Sequence, residues 1–319
     1  MKSNLTRWSG TLTSLLIGVV ALTSPSATAA EAPRGIAELA RLTVVSTRLM
    51  RQAKADALAQ NYGFRGGGHC LFGAAIKPED SRDVEVHLAR GTEIMLLAAG
   101  DDNAQDIDLF VTDPTGKQIA KDDKDDATAN VAFRTTQSGP HTFRLKLYRG
   151  QATSFCTLVV LEKNGGFDIP FANLMVAMGN YVQVAGASSL FVHEMTGGLA
   201  DARVDNELAG WCLFGAVMKQ DDNRGVTGLK LSSDAHVFLA VGCGRAADID
   251  LKVINQRGDV LVSDFAPDAH PMGMGIARAA DTYQFESTLP QSNGAALVLS
   301  GVLKVDVNAA QAIRPVVGR

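Results

Sequence analysis

The chain carries the same text twice at a fixed offset, which restricts it to a duplicated architecture. Cys70-Leu71-Phe72-Gly73-Ala74 returns as Cys212-Leu213-Phe214-Gly215-Ala216, and Asp106-Ile107-Asp108-Leu109 returns as Asp248-Ile249-Asp250-Leu251, both 142 residues later. The same offset carries Lys77 onto Lys219, Asp80 onto Asp222, Arg82 onto Arg224, Gly116 onto Gly258, Asp122 onto Asp264 and Phe143 onto Phe285. Landmarks so far apart that share one offset define a repeat, and each position of one copy can be weighed against its twin.

Each copy opens on a helical period. Ile36, Leu39, Leu42, Val45, Leu49 and Ala53 recur at three- and four-residue steps and predict a helix through Ala59. Leu174, Ala177, Met178, Tyr181, Val182 and Ala185 predict a second, continuing towards Met195. Beyond each helix the period falls to two. Val84, Val86 and Leu88, then Ile107, Leu109 and Val111, then Phe143, Leu145 and Leu147 alternate with polar neighbours in copy one. Leu229 and Leu231, Ile249, Leu251 and Val253, and Tyr283 and Phe285 do so in copy two. Turns such as Asp113-Pro114-Thr115-Gly116 and Gln256-Arg257-Gly258-Asp259 separate the short strands. This pattern predicts a mainly β chain with leading helices, one antiparallel β-sandwich per copy, over 31–166 and 167–319. The turn Ala89 to Glu93 is one residue longer than its twin, Ser232 to Ala235. The runs Gly63 to Gly68 and Gly273-Met274-Gly275 lack a strand–turn–helix frame for nucleotides and read as loops.

Residues 1–30 have the form of a secretory signal peptide: Lys2 and Arg7, then the uncharged stretch Leu12 to Leu22, then Ala27-Thr28-Ala29-Ala30. Cleavage after Ala29 or Ala30 is expected, with no Cys beside it for lipid attachment, and no later stretch reads as a membrane span. The expectation is therefore an exported protein, periplasmic or extracellular. Loss of Lys2 and Arg7 leaves 28 Lys and Arg against 34 Asp and Glu, a balance that argues against nucleic acid as a partner. Four cysteines in an exported chain point to disulfides, and Cys70–Cys156 with Cys212–Cys243 closes one inside each copy. Unpaired buried thiols are the other reading.

The acidic residues are concentrated. Asp101 to Asp126 holds nine Asp against three Lys. Asp106 and Asp108 stand two apart on a strand, so both carboxylates share one face, and Asp122 and Asp126 follow past a turn. Asp248, Asp250, Asp264 and Asp268 repeat the spacing. Four carboxylates at adjacent strand ends suit a hard cation such as calcium, which takes six to eight oxygens. The structural reading is that they cap turns and keep sheet edges soluble.

Asp106 to Gly116, then Asp122, then Gly139-Pro140-His141-Thr142-Phe143-Arg144-Leu145, resembles the bacterial pre-peptidase C-terminal (PPC) domain family. Copy two keeps Asp248 to Leu251, Gly258, Asp264 and Asp281-Thr282-Tyr283, but has Asn255-Gln256 in place of Asp113-Pro114. The resemblance implies two tandem jelly-roll-like β-sandwiches of a secreted protein. In this family they are accessory modules beside a hydrolase, and in some relatives calcium-assisted binders of collagen or polysaccharide.

Catalytic patterns are scarce. His193-Glu194 begins like a zinc-peptidase helix, but Gly197 stands where the second histidine belongs. His69 and His141 have Trp211 and Tyr283 as twins, which suits packing. Trp211, beside Cys212 and near Phe214, reads as buried, and no row of aromatics repeats as a glycan platform. The expectation is a non-enzymatic binding or structural protein of the bacterial envelope or exterior, stabilised by calcium, with a protein or polysaccharide partner. The alternative is a carboxylate-based hydrolase with its site between the copies.

Overall fold

The computed structural model describes residues 34–53, 61–167, 170, 172–204 and 210–307; the expected signal segment and the helix end at Ala59 lie outside them. Helix α1 (Arg34–Gln52) leads copy one and α2 (Ala172–Met195) leads copy two. Copy one contributes β1 (Tyr62–Phe64), β2 (His69–Ile76), β3 (Ser81–Leu88), β4 (Glu93–Gly100), β5 (Ala104–Thr112), β6 (Gln118–Asp122), β7 (Thr128–Arg134), β8 (Gly139–Gly150) and β9 (Ser154–Lys163). Copy two contributes β10 (Ala200–Val204), β11 (Leu213–Met218), β12 (Asn223–Lys230), β13 (Ala235–Gly242), β14 (Ala246–Asn255), β15 (Val260–Asp264), β16 (Met272–Ile276), β17 (Thr282–Ser292) and β18 (Ala296–Val307).

Each copy is a jelly roll. Strands β2-β9-β4-β7 face β3-β8-β5-β6, and β11-β18-β13-β16 face β12-β17-β14-β15, the interleaved order of two four-stranded sheets closed over one core. The copies are not separate beads. Strands β2 and β11 pair antiparallel, Phe72 opposite Phe214, and fuse the two inner sheets into one of ten strands, with β1 on β9 and β10 on β18. The first strand of each roll thus covers the other's open edge.

The long sheet is buried on both faces. Ser300 on β18 meets Ser287 of the outer sheet, Oγ to Oγ, at 2.7 Å, whereas its neighbour Gly301 faces Tyr181 of α2. The outer sheets therefore lie on one side and the helices on the other. This explains why β2, β4 and β9 are buried almost throughout while β17 alternates. Gly301 must be glycine: a Cβ there would lie 2.3 Å from the Tyr181 hydroxyl. At the joint Phe72 and Phe214 meet edge to face, ring centroids 6.5 Å apart. Trp211 packs on Phe72 at 5.6 Å and donates its indole N–H to the Asp83 carbonyl at 2.9 Å. Trp211 and Phe214 are buried, as expected.

Two sequence expectations need correction, the paired cysteines and the glycine loops. The cysteines are all free and buried. Register forbids the expected bridges: Cys156 lies opposite Ala74, four residues along β2 from Cys70. Likewise Cys212 lies beside Val302 and Cys243 beside Leu297, on opposite sides of β18. The Gly273-Met274-Gly275 run is not a loop but the edge strand β16, and Gly63 sits in β1. Helix α2 is long and apolar enough to cross a membrane by length and composition. Its Leu174, Ala177, Met178, Tyr181, Ala185 and Val192 are buried inside the protein, against the sheet and α1. The short turn before β13 is compensated by a β-bulge between Val226 and Leu229, with Gly228 at φ +74°.

Candidate functional site

The eight aspartates predicted from the sequence assemble into two equivalent acidic corners, one per roll. Asp106 and Asp108 lie on β5, and the β5–β6 hairpin sets Leu109 opposite Asp122. In copy two Leu251 opposes Asp264 in the same way. The following loop returns Asp126 and Asp268 to the corner, where their carbonyls accept from the Ile107 and Ile249 amides, each at 2.8 Å.

Half of this set has a visible structural task. Asp122 accepts from the Asn130 amide within β7 at 2.9 Å and Asp264 from the amide of Met272, the first residue of β16, at 3.0 Å. Asp126 takes the Thr128 amide at 2.7 Å and Asp268 the His270 amide at 2.8 Å. The Asp126 and Asp268 bonds, each to the amide two residues on, are Asx turns, and all four amide bonds recur at the repeat offset. The conserved spacing of the loop aspartates therefore follows from turn chemistry alone. The same logic explains the departure at Asn255: its Oδ1 accepts from the Arg257 and Asp259 amides, as Asp113 Oδ1 accepts from Thr115 and Lys117.

The strand aspartates are different. Asp106 is only 6% exposed, and its Oδ1 has no hydrogen-bond partner; the equivalent Oδ1 of Asp248 also lacks one. Burial raises the pKa of Asp106, and Asp125 and Asp126 add to this against Arg149 and Lys146. Burial also raises Asp108, with Asp106, Asp123 and Asp122 opposed by Lys146. In copy two burial again leads, and the charges acting on the pair are aspartates alone: Asp268 on Asp248, and Asp248 and Asp264 on Asp250.

The cross-strand register accounts for that contrast. Asp108 and Asp106 pair with Lys146 and Arg149 on β8, while Asp250 and Asp248 pair with Thr288 and Gln291 on β17. Arg149 also forms an ion pair with Asp125. Protein cations oppose the strand aspartates of copy one without cancelling their burial; among the described residues no cation is among the charges acting on those of copy two. The donor set is all hard oxygen, which suits calcium, and the unpartnered oxygens leave it coordination capacity. In the geometry described, no three His, Cys, Asp or Glu side chains among the described residues converge as a metal cluster.

The joint between the copies is aromatic among the described residues. Its residues are His69, Phe72, Trp211 and Phe214, in ring contact, and β3 borders it through the Trp211–Asp83 bond. The acidic corners sit on the third and fourth strands of the outer sheets counted from β3 and β12. His69 packs edge-on against Phe214, and burial beside Arg224 lowers its pKa to about 4, so the ring is neutral at physiological pH. His141 is fully buried, its Nδ1 3.0 Å from the Gly139 carbonyl. Sequence reasoning missed the cation asymmetry, although Lys146 against Thr288 and Arg149 against Gln291 are readable at the repeat offset.

These features define a tandem jelly-roll protein with an acidic corner on each roll. No protein-family model matches the chain, and no curated protein matches it. Among solved structures it is similar to the periplasmic lysozyme inhibitor PliG of Aeromonas hydrophila, with 12% identity and a TM-score of 0.23 over 30% of this chain and 87% of that one. It is also similar to the tandem CBM51 modules of the family 98 glycoside hydrolase of Streptococcus pneumoniae SP3-BS71 (10% identity, TM-score 0.22, 74% of this chain and 83% of that one). A third is the CBM22-1-CBM22-2 tandem domain of Paenibacillus barcinonensis Xyn10C, at 11% identity and a TM-score of 0.21 over 78% and 93% of the two chains. Likeness at this level assigns no ligand or activity to this chain.

Proposed function

We propose that this is an exported, non-enzymatic binding or structural protein of the bacterial envelope or exterior, whose acidic corners take calcium and shape the loops that meet a protein or glycan partner. The PPC resemblance and the N-terminal signal pattern are part of this reading. The observation that carries it is the corner of copy two. Asp248, Asp250, Asp264 and Asp268 act on one another with no protein cation among the charges acting on the strand pair, and Asp248 retains an unpartnered oxygen. Asp248 and Asp250 would hold the ion, with Asp268 contributing the oxygen left free by its amide cap; both Asp264 oxygens already accept amides, from Ala266 and Met272. Calcium would supply the compensating charge that Lys146 and Arg149 give in copy one.

The test is calcium binding by titration calorimetry on the mature chain, with Asp250→Asn and Asp108→Asn compared. The expected result is a tighter site lost in Asp250→Asn and retained in Asp108→Asn. No heat of binding in the wild type would remove the metal from the reading. Turnover of a glycoside, ester or peptide substrate, lost on a single carboxylate change, would overturn the non-enzymatic part.

A further inference from the structure

The ten-stranded sheet ends on β16, and the surface there is unlike its twin. Met272, Met274 and Ile276 are 37%, 57% and 71% exposed. At the repeat offset copy one has Asn130, Ala132 and Arg134 on β7, a polar and charged edge of the kind that discourages strand-to-strand association. Copy two has apolar residues in place of the polar Asn130 and the charged Arg134, and a larger apolar one in place of Ala132. Its intervening Gly273 and Gly275 press on β15, where an added Cβ would lie 2.4 Å from Val262 and 2.8 Å from Leu261. The three apolar side chains therefore share the opposite face of the strand, the helix side.

That face continues onto α2. Ser188 Oγ lies 3.7 Å from the Met272 sulfur, and Phe191 and Met195, one and two turns further on the same side of the helix, are 43% and 70% exposed. The backbone is open as well. The Ala240 amide donates to the Pro271 carbonyl, so residues 271, 273 and 275 form the hydrogen-bonded pairs with β13. The amides of 272, 274 and 276 then point outward. Asp264 occupies the first of these, which leaves the edge of Met274 and Ile276 for another strand.

We propose that β16 pairs antiparallel with β16 of a second copy of this chain, about a two-fold axis beside Met274, to form a homodimer with a continuous inner sheet. Two observations select this occupant. Met-Gly-Met-Gly-Ile reads as apolar, glycine, apolar, glycine, apolar from either end, so an antiparallel pair about its centre sets Met272 opposite Ile276, Met274 opposite Met274, and glycine opposite glycine. That is the self-complementarity a two-fold interface requires. The chain also already joins its own halves in this manner, first strand to first strand through β2 and β11, and the dimer extends the same sheet from its far end. The proposal shares one residue with the calcium reading, Asp264, which caps the Met272 amide, but uses none of the strand aspartates, and the oligomer mass is read without calcium.

Sedimentation equilibrium of the mature chain over a concentration series tests it. The expected result is a mass rising to that of two chains, and a single-chain mass for the variant that restores copy one's residues, Met272→Asn with Met274→Ala and Ile276→Arg. A circular-dichroism melt checks that this variant folds. Should it not fold, Met274→Cys replaces it as the decisive variant: oxidation is expected to cross-link two chains at that position, because the four native thiols are buried. A wild type that stays a single chain throughout, a folded triple variant that still dimerises, or a Met274→Cys chain that does not cross-link would each overturn the proposal.

Discussion

Asp106 and Asp248 carry a cost that their neighbours do not remove, because a buried carboxylate oxygen without a partner is disfavoured in its charged form. Burial raises the pKa of Asp106, Asp108, Asp248 and Asp250 in the folded chain above the unfolded value of about 3.9. A carboxyl raised in this way binds its proton more readily when folded, so its contribution to stability is present below the unfolded pKa and is lost as pH rises through the folded pKa. Without divalent cations, we expect Asp248→Asn to raise the midpoint of chemical denaturation at neutral pH and to flatten its dependence on pH just above the ordinary carboxylate range. A lowered midpoint would mean that this carboxylate has a structural partner. The cysteines give a second prediction at this scale. Burial pushes the Cys70 thiol up to about 12, and all four sulfurs are enclosed. Alkylation should therefore leave the native chain untouched and modify four thiols under denaturant with no reductant. Fewer than four would restore a disulfide.

The strands that alternate, and α1, were legible from residue spacing, because each has one buried face and one polar face to write into the sequence; α2 was legible from the three- and four-residue steps of its buried residues, although its outer face is also apolar. The inner-sheet strands were not, for a reason specific to them. Strand β2, with Cys70 to Ala74, is buried on both faces almost throughout, so its apolar run has no period to read. Strand β16 hid behind glycines: Gly273 and Gly275 occupy the inward positions and erase one half of the alternation. The tight inward packing at glycines also yields a prediction for the helix layer. Gly301→Ala forces its methyl into Tyr181, and overpacking of this kind costs about 1–3 kcal/mol by chemical denaturation. The pair Gly301→Ala with Tyr181→Phe should recover part of the loss, since the closest clash is with the hydroxyl. Full recovery by an unrelated substitution on α2 would argue against that contact as the cause.

At the scale of the whole molecule, the repeat predicted two sandwiches, and the structure has two jelly rolls sharing one sheet. Nothing in either copy's own pattern encodes that joint, because its register comes from pairing across sequence positions about 142 apart. Phe72, Phe214 and Trp211 now hold it, so the rolls should unfold in one calorimetric transition rather than two. Trp211→Ala, which removes a ring packed on Phe72 and an indole bond to the other copy, should cost about 3–5 kcal/mol. Two resolved transitions in the wild type would show that the joint does not couple the copies. The strand aspartates of the acidic corners remain the part of the molecule that the fold alone does not require, and their function rests on one physical claim: that copy two needs an external cation where copy one has Lys146 and Arg149. The direct measurement is the thermal unfolding midpoint in calcium and in chelator, for the wild type and for Asp248→Asn with Asp250→Asn. The account predicts a midpoint that climbs with calcium by mass action, reaching about 2.7 kcal/mol of added stability at a hundredfold excess over Kd, and that loses most of this climb in the double variant. A wild-type midpoint indifferent to calcium, or an equal climb in the double variant, would contradict it.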